Sequence, residues 1–157
     1  MRKADSSSKA GYRLIERALQ AALKKNDASA ARRLIKQASE QFRQAGDPIG
    51  ELNALHFTGR IEHQFENQDE ALRLYDAALK VAERINCLEI AARARHERAR
   101  IFSDRCQFIE AEAGFRFAIN YYGARKDSAN FWAAVYGLRN LAQDGLFYSD
   151  YFLESLE

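Results

Sequence analysis

Residues 54–61 read ALHFTGRI and residues 94–101 read ARHERARI, while residues 71–78 read ALRLYDAA and residues 111–118 read AEAGFRFA. A shift of forty positions lays Ala54 on Ala94, His56 on His96, Gly59 on Ala99, Arg60 on Arg100 and Ile61 on Ile101. The same shift lays Ala71 on Ala111, Tyr75 on Phe115 and Ala78 on Ala118. Backwards, Ala71, Leu74, Tyr75 and Ala78 land on Ala31, Leu34, Ile35 and Ala38; forwards, Ala94 lands on Ala134. Small residues fall on small ones and large apolar residues on large apolar ones, which is the mark of an internal repeat.

The physical content of the pattern is a helical hairpin. Two antiparallel helices approach closely only where side chains are short. Gly59 and Ala99 are therefore expected to face Ala71 and Ala111. The larger Tyr75 and Phe115 are then left to pack against the next hairpin.

Reading outward, Met1 to Lys9 is a polar lead containing Ser6, Ser7 and Ser8. Apolar residues at helical spacing predict helices over 10–25 and 29–45, with Asn26-Asp27 as the turn and Asp27 as a cap. Gly46-Asp47-Pro48 is the strongest punctuation in the chain. Further helices are expected over 49–65, 70–85, 88–104, 108–122 and 128–143, the last ending before Asp144-Gly145. Joins this short between long amphipathic helices force antiparallel neighbours. The fold class is all-α, antiparallel helical hairpins stacked in series, with a lead at 1–9, a repeat domain at 10–145 and a tail at 146–157.

That tail carries Leu146, Phe147, Tyr148, Tyr151, Phe152, Leu153 and Leu156, seven large apolar residues in eleven positions. It reads as a helix capping the last hairpin, or as a homodimer patch built on Tyr148, Tyr151, Phe152 and Leu156.

Composition bounds the function classes. The chain has 157 residues, 47% of them apolar, with a single Pro and a formal charge of +2. It is one folded domain by size, and helical rather than disordered. The charge is unevenly spread. Residues 1–48 hold eleven Lys and Arg against five Asp and Glu, whereas residues 141–157 hold four acids and no base. Cys87 and Cys106 are too few for a disulfide framework, and the N-terminus lacks the apolar run of a secretory signal. A cytoplasmic protein with no membrane span is expected.

The chemistry of enzymes is not visible. His56, His63 and His96 are the only histidines and do not converge with cysteines in ligand spacing, so no metal and no cofactor is expected. Glu62 and Glu66 form an i, i+4 carboxylate pair without the Glu-x-x-His partners of a di-iron bundle. Arg13, Arg17, Lys24, Lys25, Arg32, Arg33 and Lys36 form a basic patch, yet no recognition motif accompanies it. Nucleic-acid binding is therefore a lesser, non-specific alternative.

The second-helix pattern Ala71, Tyr75, Ala78 and its copy Ala111, Phe115, Ala118, placed twelve residues after Gly59 and Ala99, resembles the tetratricopeptide repeat. The similarity is to long-helix branches of that family with repeats of about forty residues. It implies a right-handed solenoid whose first helices line a concave groove. The implied peptide-binding positions are Asn53, His56, Arg60, His63, Arg93, His96, Arg100, Tyr136 and Asn140. They would form rows of rings and hydrogen-bond donors suited to an extended acidic peptide or protein segment, as in a scaffold or adaptor. The alternative is a structural, homo-oligomerising helical protein that takes no peptide.

Overall fold

The computed structural model describes the backbone of residues 2–154 and the side chains of residues 6–144. Within those limits every element is an α-helix: α1 (Arg2–Lys25), α2 (Ala28–Ala45), α3 (Pro48–Gln64), α4 (Gln68–Arg84), α5 (Leu88–Asp104), α6 (Phe108–Ala124) and α7 (Ser128–Glu154). The chain forms two compact units, Met1–Ala94 and Arg95–Glu157, and α5 contributes to both. The all-α class therefore holds.

A twenty-residue cadence sets the helix ends. Left-handed backbone occurs at Asn26, Gly46, Glu66, Asn86, Cys106 and Lys126, with φ of 51°, 64°, 63°, 54°, 57° and 57°. From the second turn on, the amide after next closes the preceding helix: Asp47 donates to Phe42 O, Asn67 to Glu62 O, Cys87 to Ala82 O, Gln107 to Phe102 O and Asp127 to Tyr122 O, at 2.8–3.1 Å. This is a helix C-terminal cap that reverses the chain in two residues. The next helix opens at the same cadence, with Asp27, Asp47 and Asp127 accepting from the amides of Ala30, Gly50 and Asn130. Each side-chain cap satisfies an amide that the first helical turn leaves without an intrahelical partner.

In the first unit α1 packs on α2 and α3, α2 on α3, and α3 on α4. Ile15, Ala18, Ala22, Ala31, Ile35, Ala38, Phe42, Ala54 and Ile61 form one apolar core. The forty-residue register selects buried positions, since Ala31, Ala71 and Ala111 are fully enclosed, as are Ala38, Ala78 and Ala118. In the second unit Ala99, Ala111, Phe115 and Leu141 form the core, and α6 packs on α7.

The partner of Gly59 differs from expectation. A methyl group built there would lie 2.7 Å from Cε1 of Tyr75, so the glycine seats the Tyr75 ring rather than Ala71. Gly137 does the same for Phe115, whose Cε1 would lie 2.5 Å from an added methyl. Ala99 meets Gly114 in addition to sharing a core with Ala111. At Gly59 and Gly137 an aromatic ring is laid on bare backbone, whereas at Gly114 the neighbours are Ala99 and the Arg95 carbonyl.

Two boundaries also differ. Helix α1 runs through Ser6, Ser7 and Ser8, because extending a nucleated helix needs no further nucleus. Helix α7 passes through Asp144-Gly145, since one glycine inside a helix costs only about 1 kcal/mol and supplies no stop without a left-handed cap. The tail expected as a separate segment is a continuation of α7 to Glu154. The expected burial of Tyr148, Tyr151, Phe152 and Leu156 concerns side chains outside those described.

One ion pair ties α2 to α3. Arg32 Nε and Nη2 donate to Glu62 Oε1 and Oε2 at 2.8 and 2.7 Å, and Asn67 Nδ2 donates to Glu62 Oε2 at 2.7 Å. The Glu62 carboxylate is nearly enclosed, while the Arg32 side chain is about half exposed. The Arg32 hydrogen bonds, opposed by burial and aided by Asn67, hold the Glu62 carboxyl below its ordinary value. A depressed carboxyl contributes stability above its unfolded pKa and loses it as pH falls through the folded one.

Two outcomes follow from these contacts. Glu62→Gln lowers unfolding free energy at neutral pH by about 1–2 kcal/mol, discounted for the exposure of Arg32, and the deficit shrinks as pH is taken below about 4. A pH-independent deficit in denaturant titrations contradicts the assignment. Lys126→Gly relieves a left-handed lysine and raises stability by about 0.5–1 kcal/mol after the added unfolded-state entropy. An unchanged or lower denaturant midpoint contradicts that.

Candidate functional site

In the second unit α5 and α7 flank a cavity of about 420 Å³ floored by Phe115 from α6. Helical spacing brings His96, Arg100 and Ser103 to it from α5, and Ala133, Tyr136, Gly137 and Asn140 from α7. Gly137 leaves space for the Phe115 ring, which meets the His96 imidazole edge-on at 5.7 Å between centroids. Four of the expected residues, His96, Arg100, Tyr136 and Asn140, therefore share one opening. Its charge is largely compensated from within. Arg100 Nη1 donates to Glu97 at 2.9 Å, Asp104 lies on the same wall, and the Arg139 guanidinium sits 4.2 Å from the centroid of the Tyr136 ring.

In the first unit the expected residues are used differently. His56 is 2% exposed and packs between Phe57 and Tyr75, with ring centroids at 5.3 and 5.6 Å. Asn53 Nδ2 donates to the Ile49 carbonyl at 3.1 Å and, more weakly, to Tyr12 Oη at 3.5 Å. Burial, and then the charge of Asp47, pushes that Tyr12 phenol above its ordinary pKa. Arg60 lies over the Phe57 ring at 5.5 Å, and His63 is half-buried on the same helix. Arg93 forms an ion pair with Glu89 one turn back.

The match of His56 with His96 has a packing cause. Each imidazole touches the aligned ring of the following helix, Tyr75 in one case and Phe115 in the other, at nearly the same distance. The repeated histidine is a ring-packing position, which the expectation of a solvent-facing row did not include.

Sequence reasoning missed two features. Arg95 lies over Phe117 at 3.9 Å and Arg98 over Phe102 at 5.2 Å, beside a 280 Å³ hollow between α5 and α6. The run of arginines at 93, 95, 98 and 100 was the available signal. The second feature is apolar exposure: Trp132 is 64%, Tyr136 57% and Ile109 83% exposed. Trp132 is the only tryptophan, and the forty-residue register lays it on Ala92 and Leu52, both of which are buried.

Cys87 and Cys106 are free thiols. Among the described residues no three His, Cys, Asp or Glu side chains are grouped so as to hold a metal, and no helix is long and apolar enough to cross a membrane.

No protein-family model and no curated protein sequence matches the chain. Its fold is similar to the crystal structure of BtubC (BKLC) from P. vanneervenii, with a TM-score of 0.59 and 18% identity over 92% of this chain. The chain spans 66% of the length of that protein, and at this identity the likeness shows the fold alone. The tetratricopeptide assignment is corrected accordingly, together with the solenoid it implied. The acidic-peptide groove and the adaptor or scaffold role rested on that assignment and are withdrawn with it. The physical reason is that small-large-small spacing on the second helix is what any tightly packed antiparallel hairpin demands.

Proposed function

We propose that this chain is a structural helical protein that associates with copies of itself and takes no peptide ligand. The observation that carries the reading is the pair Trp132 and Tyr136, four residues apart and therefore on one face of α7, both more than half exposed. Large aromatic side chains of this kind are enriched at the energetic centre of protein interfaces, and a contiguous exposed pair is uncommon on a surface meant to stay solvated. The same helix continues toward the segment in which seven of eleven residues are large and apolar. No catalytic role is assigned to any residue. A cytoplasmic setting fits this reading, because the two free thiols, one of them exposed, suit a reducing compartment.

Sedimentation equilibrium tests the proposal. The mass of the intact chain exceeds its 17.9 kDa monomer and rises with concentration. Trp132→Ala weakens association by about tenfold, near 1.4 kcal/mol, without moving the unfolding midpoint of the monomer. A monomer across the accessible concentration range contradicts the proposal, as does an alanine variant that associates like the intact chain.

A further inference from the structure

Ala129, Trp132, Tyr136, Arg139 and Gln143 advance by alternate steps of three and four residues, so they form one line along α7, and all five are exposed. The forty-residue register lays the middle three on Leu52, His56 and Gly59 of α3 and on Ala92, His96 and Ala99 of α5. Every one of those six is buried or half-buried. The helix that follows does the covering. Tyr75 of α4 lies on Gly59 and against His56, while α6 brings Phe115 to His96 and Gly114 to Ala99. In α7 the same line is bare, because the backbone runs on as helix to Glu154 instead of reversing twenty residues after Lys126.

The chemistry of the line says what covers it. From Ser128 to Gln143 the only charged residue is Arg139, and its guanidinium lies 4.2 Å from the centroid of the Tyr136 ring. The exposed side of α1 is unlike it, with Arg13, Glu16, Arg17 and Lys24 all in solvent. Covering that side with an aromatic line desolvates charges without pairing them. A second copy of the α7 line instead brings rings to rings. At the His56 and His96 positions a ring arrives from the following helix; at Tyr136 it is supplied by Trp132 of another copy.

We infer that self-association forms a closed twofold dimer, in which the α7 lines of two copies cross antiparallel and each Trp132 packs on Tyr136 of the other copy. The inference rests on the self-association proposed above and adds its face, direction and end-point. A twofold axis midway between positions 132 and 136 exchanges the two rings, as an isologous contact requires. The same register sets Arg139 opposite Ala129, so the Arg139 side chains of the two copies stand about 15 Å apart along the helix axis. That exceeds the Debye length of about 8 Å at physiological salt, so the like charges barely oppose the contact.

Trp132→Ala and Tyr136→Ala, alone and mixed, are the test, read by sedimentation equilibrium. Both side chains are more than half exposed in the single chain, and circular dichroism with the unfolding midpoint establishes that each variant is folded. The intact chain stops at twice its 17.9 kDa mass, and raising ionic strength from about 0.1 M to about 1 M does not weaken it. Each variant alone associates at least about tenfold more weakly, since both pairings of Trp132 with Tyr136 are lost from its dimer. In the mixture, Trp132 of one variant meets Tyr136 of the other, so one pairing is restored and the mixed dimer is tighter than either variant's own. The emission of Trp132, the only tryptophan, shifts to the blue with the same concentration dependence.

A mixture no tighter than the tighter of the two variants overturns the inference. So does growth of the intact chain past the dimer, the mark of α7 docking on a different face of the next copy. Association that salt abolishes, or that leaves the Trp132 emission unmoved, overturns it as well. In these cases self-association itself stands. An intact chain that is monomeric throughout, its α7 line left for a foreign partner, overturns the inference and the proposal it rests on together.

Discussion

An aromatic ring resting on a glycine backbone fixes how closely the helices pass one another. Tyr75 of α4 lies on Gly59 of α3, and Phe115 of α6 lies on Gly137 of α7. Phe42 of α2 is seated against Gly50 of α3 in the same way. The ring supplies a large apolar area, and the missing Cβ lets it reach the neighbouring main chain. The alanines around each ring, fully enclosed at 71, 78, 111 and 118, fit because the ring occupies the remaining volume. The cavity beside Phe115 is a consequence of the same seating. Its floor is a ring held down by a glycine, and its walls are helices spaced by that ring.

The second constraint is the cadence of turns. Reversal every twenty residues gives every hairpin the same length, and this is why a shift of forty superposes small residues on small. Much of this was legible in the sequence. The helices from α2 to α6 begin and end within two or three residues of the positions that periodicity and the turn at Gly46-Asp47-Pro48 indicate. The left-handed turns at Glu66, Cys106 and Lys126 were not legible, because those residue types carry no turn propensity and tertiary packing imposes the conformation. Gly145 misled in the other direction. Glycine is both a common helix stop and a tolerated helix interior residue, and only the absent cap distinguishes the two.

The candidate site was legible in part. The groove positions implied by the resemblance included His96, Arg100, Tyr136 and Asn140, and these four share an opening. Periodicity could not show that His56 is enclosed, because a histidine repeated at forty residues serves ring packing as well as it serves a ligand. Nor could it pair Arg32 with Glu62, since thirty residues of separation leave no periodic trace. The family resemblance failed for a related reason. The residues that carried it, Ala71, Tyr75 and Ala78, report the closeness of two helices, and that closeness is common to many helical folds. Trp132 is more than half exposed although the forty-residue register lays it on the buried Ala92 and Leu52, and the association proposed above rests on it.

The dependence of the fold on ring-on-glycine packing is tested most directly by a double-mutant cycle on Gly59→Ala and Tyr75→Leu, read by denaturant unfolding. Gly59→Ala alone is destabilising by about 1–3 kcal/mol, because the new methyl overlaps the Tyr75 ring. With the ring already shortened to leucine, adding the methyl costs much less, and the two changes are coupled by about 0.5–3 kcal/mol. Additive losses, or a Gly59→Ala variant as stable as the parent chain, contradict the account.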